Sequence, residues 1–90
     1  MALIFRSHAL RRMFQRSVSR EDVLRALAVG EDIEDYPHDW PYPSRLVLGI
    51  VSGRPLHIVV ADNAQDLETI VITIYQPEQA LWTADFRRRL

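Results

Sequence analysis

The chain has 90 residues, of which 48% are hydrophobic, and a net charge of −1. These totals indicate one small globular domain and exclude a disordered chain or a uniformly basic nucleic-acid-binding protein. The absence of cysteine excludes disulfides and thiolate metal sites, and the three histidines lack the spacing of a zinc site, so we expect no metal or cofactor. The apolar runs are too short to span a bilayer, and a cysteine-free chain suits the reducing cytoplasm, where we expect the protein to act.

Two short helices are predicted at the front of the chain. The first covers residues 7–17, where the i, i+3, i+4 spacing of apolar residues indicates a buried face consisting of Leu10, Met13 and Phe14. Ser19 should cap the start of the second helix, and Gly30 should end it in a left-handed conformation.

A polar stripe runs along the first predicted helix. His8, Arg12 and Arg16 repeat every four residues and therefore share one side, away from Leu10 and Phe14. The stripe has two interpretations: a solvated helix face, or a phosphate-binding ridge extended by the arginines at the end of the chain. All eleven basic residues are arginine, whose planar fork suits phosphate.

The remainder of the chain predicts strands. Residues 31–36 form an acidic edge strand, and proline-containing dipeptides bracket the loop that follows. Three more strands are expected over 45–51, 56–61 and 67–75, joined by tight turns. Pro77 should end the last of these strands, and Trp82 and Phe86 should dock a final irregular turn. The predicted fold is α+β, with two N-terminal helices packed on one face of a three- to four-stranded antiparallel sheet.

Side-chain alternation divides the three main strands into two faces. One face is entirely aliphatic and should be the core under the helices: Leu46, Leu48, Ile50, Leu56, Ile58, Val60, Ile70, Ile72 and Ile74. The other face combines small apolar residues with Arg45, His57, Thr73 and Tyr75. This second face is either an open ligand-binding surface or a half-exposed surface covered by the C-terminal segment, with His57 bonded to a backbone group.

Three residues of the second face have side chains suited to RNA cleavage. Such cleavage needs an acid or base, which His57 can supply, and cations for the phosphate, such as Arg45. Tyr75 could stack on a base or donate its hydroxyl. The candidate catalytic residues are therefore His57, Arg45 and Tyr75, and the candidate RNA-binding residues are His8, Arg12 and Arg16.

A series of short segments in this chain resembles a bacterial family known as domain of unknown function 4258. The segments are Phe5-Arg6-Ser7-His8-Ala9, Arg12-Met13, Arg16, Glu21-Asp22-Val23, Gly30-Glu31, Ile33-Glu34-Asp35-Tyr36, Pro41-Tyr42-Pro43-Ser44-Arg45-Leu46, Arg54-Pro55-Leu56-His57-Ile58-Val59 and Ile72-Thr73-Ile74-Tyr75-Gln76-Pro77, and the resemblance closes at Trp82. The family is similar in layout to compact ribonuclease toxins of the RelE/barnase type. The resemblance implies a metal-independent endoribonuclease from a two-gene toxin–antitoxin module, with a small zinc-finger or DNA-binding antitoxin as partner.

Two function hypotheses follow from these observations. The first is a toxin-like endoribonuclease that uses the residues named above. The alternative is a non-catalytic interaction module that binds a protein through the same sheet face or through the acidic segment 31–39 with its neighbouring aromatic residues, Tyr36, Trp40 and Tyr42. A small-ligand-binding domain has less support, because no phosphate loop is present.

Overall fold

The structure is a computed structural model that describes residues 2–90. Its strands and helices in chain order are β1 (Ala2–Phe5), α1 (Ser7–Arg16), α2 (Arg20–Val29), β2 (Glu31–Tyr36), β3 (Ser44–Val51), β4 (Arg54–Asn63) and β5 (Glu68–Tyr75). Residues 77–90 form a C-terminal segment that contains one short 3-10 turn, Gln79–Leu81.

The five strands form one mixed sheet in the order β1-β5-β4-β3-β2. β1 is parallel to β5, and the other neighbours are antiparallel. The predicted α+β class with two helices is confirmed, but the predicted sheet of three to four antiparallel strands was too small. β1 was missed because it is only four residues long and has no polar alternation; Leu3 and Phe5 nevertheless pack against the core. Neither helix within residues 2–90 is long and apolar enough to cross a membrane.

The two helices start and end close to the predicted positions, but the buried face of α1 differs from the prediction. Ser19 forms a capping box with Asp22, as its position at the start of α2 indicated. Gly30 is not left-handed: its φ is −74°, and glycine is needed because a Cβ would lie 2.3 Å from the carbonyl oxygen of Ala26. In α1 the buried residues are Ala9 and Met13.

The prediction that Leu10 and Phe14 are buried was wrong. Leu10 is 51% exposed and Phe14 is 89% exposed. α1 packs on β5 through the side that contains Ala9 and Met13. Positions 10 and 14 are turned about 60–100° away from Met13 and so point out of the core.

The predicted division of the sheet into two faces was correct for β4 but reversed for β3. Val47 pairs with Ile58 and Gly49 with Leu56, so this side of β3 faces the helices. A Cβ at Gly49 would lie 2.7 Å from Ala26, which shows how closely α2 rests on β3. The aliphatic side of β3, which includes Leu48, instead lies on the sheet face covered by the C-terminal segment.

A bulge reverses the alternation within β5. Thr73 pairs with Val59, whereas Val71 pairs with Val60, so Ile72 is an extra residue on β5. On the C-terminal side of this bulge, Thr73 and Tyr75 share the face of His57, as predicted. The second interpretation of this face is the one that the structure adopts: the C-terminal segment covers it, and His57 bonds to a backbone carbonyl.

Candidate functional site

A pocket of about 280 Å3 lies between α1, the end of β5 and the C-terminal segment. We call it the arginine pocket. The residues that line it include Arg12, Arg16, Thr73, Tyr75, Trp82 and Arg89. Glu78 is the acidic residue in this lining, so the charged side chains give a net positive charge. Guanidinium groups converging on a small cavity favour a bound phosphate or carboxylate.

The three arginines reach the pocket from opposite ends of the chain. Arg12 and Arg16 lie one turn apart on α1 and therefore point to the same side of the helix. Arg89 is held over the ring of Trp82, with its guanidinium carbon 4.6 Å from the ring centre. A backbone bridge between Trp82 and Arg89 folds the tail back on itself, which keeps Arg89 beside the sheet.

His57 lies behind the arginine pocket and has no exposed surface. Its Nε2 is 2.8 Å from the carbonyl oxygen of Phe86, and its Nδ1 is 3.2 Å from the hydroxyl of Tyr75. Because a carbonyl only accepts, Nε2 carries the proton and Nδ1 accepts the Tyr75 hydrogen. The edge of the ring also meets Trp82, with 4.3 Å between ring centres. His57 therefore joins β4, β5 and the C-terminal segment.

Burial determines the ionisation of this pair. It lowers the pKa of His57, and the nearby positive charge of Arg89 lowers it further, against the opposing effect of the Phe86 hydrogen bond. Burial also raises the pKa of Tyr75, while Arg89 acts in the opposite direction. At neutral pH, His57 is thus an uncharged acceptor and Tyr75 is a protonated phenol.

The structure brings together three of the six predicted site residues. Arg12, Arg16 and Tyr75 line the arginine pocket, as expected if the α1 stripe and the sheet face form one surface. His8 lies in an adjoining shallow depression that shares Arg12. The stripe faces away from Leu10 and Phe14, as predicted, and two of its members meet the C-terminal Arg89.

Two candidate catalytic residues do not line the arginine pocket. Arg45 points to the helix side of the sheet, where it forms ion pairs with Asp32 and Asp62. It was assigned to the face of His57 because β3 is apolar on both sides, so alternation did not distinguish them. His57 is on the expected face, but both of its ring nitrogens are occupied and the C-terminal segment covers it, so it cannot touch a substrate in this conformation.

Trp82 was missed as a site residue, and Arg89 was expected only within the group of C-terminal arginines that could extend the α1 ridge. Their positions depend on the tail folding back over β4 and β5, which no local pattern predicts. The only sequence signal was the cluster Arg87-Arg88-Arg89, which more often marks a solvated tail.

Comparison with known proteins supports the resemblance seen in the sequence. Residues 5–76, which are 72 of the 90, match the family model described as Domain of unknown function (DUF4258). The chain belongs to this family. The match includes α1, the sheet from β2 to β5 and Tyr75, and it ends before the C-terminal segment that supplies Arg89. No curated protein and no solved structure matches the chain.

Proposed function

We propose that this protein is a metal-independent endoribonuclease of the toxin type that holds the RNA backbone in the arginine pocket. The observation that carries the proposal is the meeting of Arg12, Arg16 and Arg89 beside Tyr75, whose hydroxyl is bonded to a buried histidine. Guanidinium groups would bind the phosphate and stabilise the charge that develops on it during cleavage.

Tyr75 is the group best placed to touch the reacting atoms. In the proposed step the 2′-hydroxyl of the RNA gives its proton to the Tyr75 oxygen as Tyr75 gives its own proton to Nδ1 of His57. The 2′-oxygen attacks the phosphorus, which produces a 2′,3′-cyclic phosphate, and the departing 5′-oxygen takes a proton from solvent at the pocket mouth. His57 thus acts through Tyr75, and the Phe86 carbonyl accepts the hydrogen of the imidazolium that forms.

This assignment revises the roles suggested by the sequence. Tyr75 is the proposed catalytic residue and His57 the buried proton acceptor behind it. Arg89 replaces Arg45 as a phosphate ligand, because Arg45 lies on the other side of the sheet. His8 is one turn from Arg12 and would contact the RNA next to the pocket.

The proposed location and partner of the protein come from the family resemblance. The proposed toxin would act in the cytoplasm and be paired with a small zinc-finger or DNA-binding antitoxin. RelE/barnase-type toxins, with front helices and an antiparallel sheet, are a fold-level analogy, and this analogy is the reason for proposing RNA cleavage.

A salt titration with matched variants tests RNA binding. Replacing both Arg12 and Arg16 with glutamine should lower the slope of log affinity against log salt by about 1.4, the value for two lost phosphate contacts with a single strand. Replacing Arg20 and Arg25 on α2 makes the same change in charge away from the pocket, and it should leave most of the slope unchanged. Equal losses in the two double variants would refute a pocket-specific site.

The same variants separate binding from cleavage. Tyr75→Phe removes the hydroxyl but keeps the ring, so it should abolish cleavage while RNA affinity stays within about twofold. If purified wild type neither binds nor cleaves RNA, the non-catalytic interaction module replaces the nuclease. The observation that favours this second candidate is Trp40, which is 90% exposed in the loop after the acidic strand β2.

A further inference from the structure

The outer side of α1 carries apolar residues that the fold does not use. Phe14 is 89% exposed and Leu10 is 51% exposed, and their i, i+4 spacing places them next to each other on the helix surface. The helix packs through Ala9 and Met13, so burial in this chain does not account for a phenylalanine and a leucine at positions 10 and 14. We call Leu10 and Phe14 the outer face of α1.

Positive charge from Arg6 and Arg11 lies beside this face, and no acidic side chain in the part of the chain that the structure describes is paired with either arginine. Residues 2–20 contain five arginines and no acidic residue. Within residues 2–90, none of these five arginines forms a side-chain ion pair, whereas three of the four acids of β2 are paired with Arg45, Arg87 and Arg89. Arg54 adds another guanidinium at the C-terminal end of α1, where it donates to the carbonyl oxygens of Arg16 and Ser17 at 2.7 and 3.1 Å.

We propose that the outer face of α1 docks an acidic amphipathic helix of a partner protein. Two apolar residues at i, i+4 spacing match the stripe of such a helix, and the unpaired Arg6 and Arg11 beside them match carboxylates at its rim. An RNA strand fits less well, because Leu10 offers no ring for base stacking. The face lies opposite Arg12 and Arg16, so the inference does not depend on the proposed nuclease activity.

Trp40 provides a matched control for Phe14. The two rings are 90% and 89% exposed, but Trp40 follows the acidic strand whereas Phe14 lies among arginines. Because neither side chain is buried, changing either to serine should leave the fold and its melting temperature nearly unchanged. If the two variants differ in their affinity for an acidic helix, the difference is therefore due to the charges around each ring, which are positive at Phe14 and negative at Trp40.

The probe is a fluorescent, glutamate-rich peptide of about 18 residues, or five helical turns, with leucines along one face. A second peptide with the same composition but scattered leucines serves as the control, and titrations are followed by fluorescence anisotropy. The wild type should bind the amphipathic peptide at least about tenfold more tightly than the control peptide. Phe14→Ser should lose about tenfold in affinity, Trp40→Ser should lose none, and Arg11→Gln should weaken binding mainly at low salt.

Several results would overturn the proposal. Equal affinity for the two peptides, or equal losses in Phe14→Ser and Trp40→Ser, would show that the outer face of α1 is not a docking site for an acidic helix. A loss of RNA affinity in Phe14→Ser would assign the face to RNA instead. If wild type sediments as a dimer and Phe14→Ser as a monomer, the occupant is a second copy of the chain.

Discussion

Replacing His57 with alanine tests whether this side chain holds the C-terminal segment on the sheet. The change removes a buried ring together with its bonds to the Phe86 carbonyl and the Tyr75 hydroxyl. Each lost hydrogen bond costs about 1 kcal/mol, and the cavity adds roughly 2 kcal/mol. The free energy of unfolding should therefore fall by about 4 kcal/mol, a large part of the roughly 5–13 kcal/mol expected for a domain of this length.

The same variant should also change how stability depends on pH. Burial lowers the pKa of His57 in the folded chain below its ordinary 6.5, so the unfolded chain binds the proton more readily. The contribution of uncharged His57 to the free energy of unfolding is fully present above pH 6.5. It is lost as the pH falls below 6.5 toward the pKa of the folded chain, and the free energy of unfolding then changes by at most about 1.4 kcal/mol per pH unit. Asp22 and Asp85 have pKa values lowered from 3.8, so their contributions disappear only at more acidic pH.

Urea unfolding at several pH values between 5 and 8 measures both effects. Wild type should gain stability up to about pH 6.5, and His57→Ala should lose most of that gain. His8→Ala is the control, because it removes an exposed histidine of α1 and leaves the buried His57 in place. Trypsin cleavage at Arg87-Arg88-Arg89 should be faster in His57→Ala. An unchanged pH dependence in that variant would refute the assigned role of His57.

Two further predictions concern the packing of α2. Ser19→Ala removes the capping box with Asp22 and should lower the free energy of unfolding by about 1 kcal/mol; no change in urea midpoint would contradict the cap. Gly49→Ala introduces a Cβ 2.7 Å from Ala26 and should cost more than about 2 kcal/mol. In the matched control Gly53→Ala the new Cβ has no atom within 4 Å to clash with, so the only cost is that of a non-glycine residue at a φ of +77°. Similar losses at the two glycines would contradict the close contact of α2 with β3.

The sequence predicts the local structure better than the arrangement of the sheet faces. The cap at Ser19, the acidic edge strand and the turn between β3 and β4 depend on short-range chemistry and were predicted correctly. β3 was turned the wrong way because it is covered on both sides, by α2 and by the C-terminal segment, so both of its faces are apolar. The alternation of apolar and polar residues along a strand identifies the buried face only when the opposite face is exposed to solvent.

The candidate site was predicted in part for a related reason. Arg12, Arg16 and Tyr75 could be named because helix spacing and strand alternation place each of them on a definite side. Arg45 was placed wrongly together with its strand. Arg89 reaches the pocket only through tertiary contacts of the tail with Trp82, and such long-range contacts leave no periodic signal.

The central claim is that RNA is cleaved at Tyr75 in the arginine pocket. The most direct measurement incubates purified protein with single-stranded RNA in the presence of a chelator and identifies the new ends. We predict 2′,3′-cyclic phosphate and 5′-hydroxyl ends with wild type, and no cleavage with Tyr75→Phe, which remains folded and still binds RNA. Cleavage by Tyr75→Phe at the wild-type rate, or intact RNA with wild type both alone and with the proposed antitoxin, would contradict the claim.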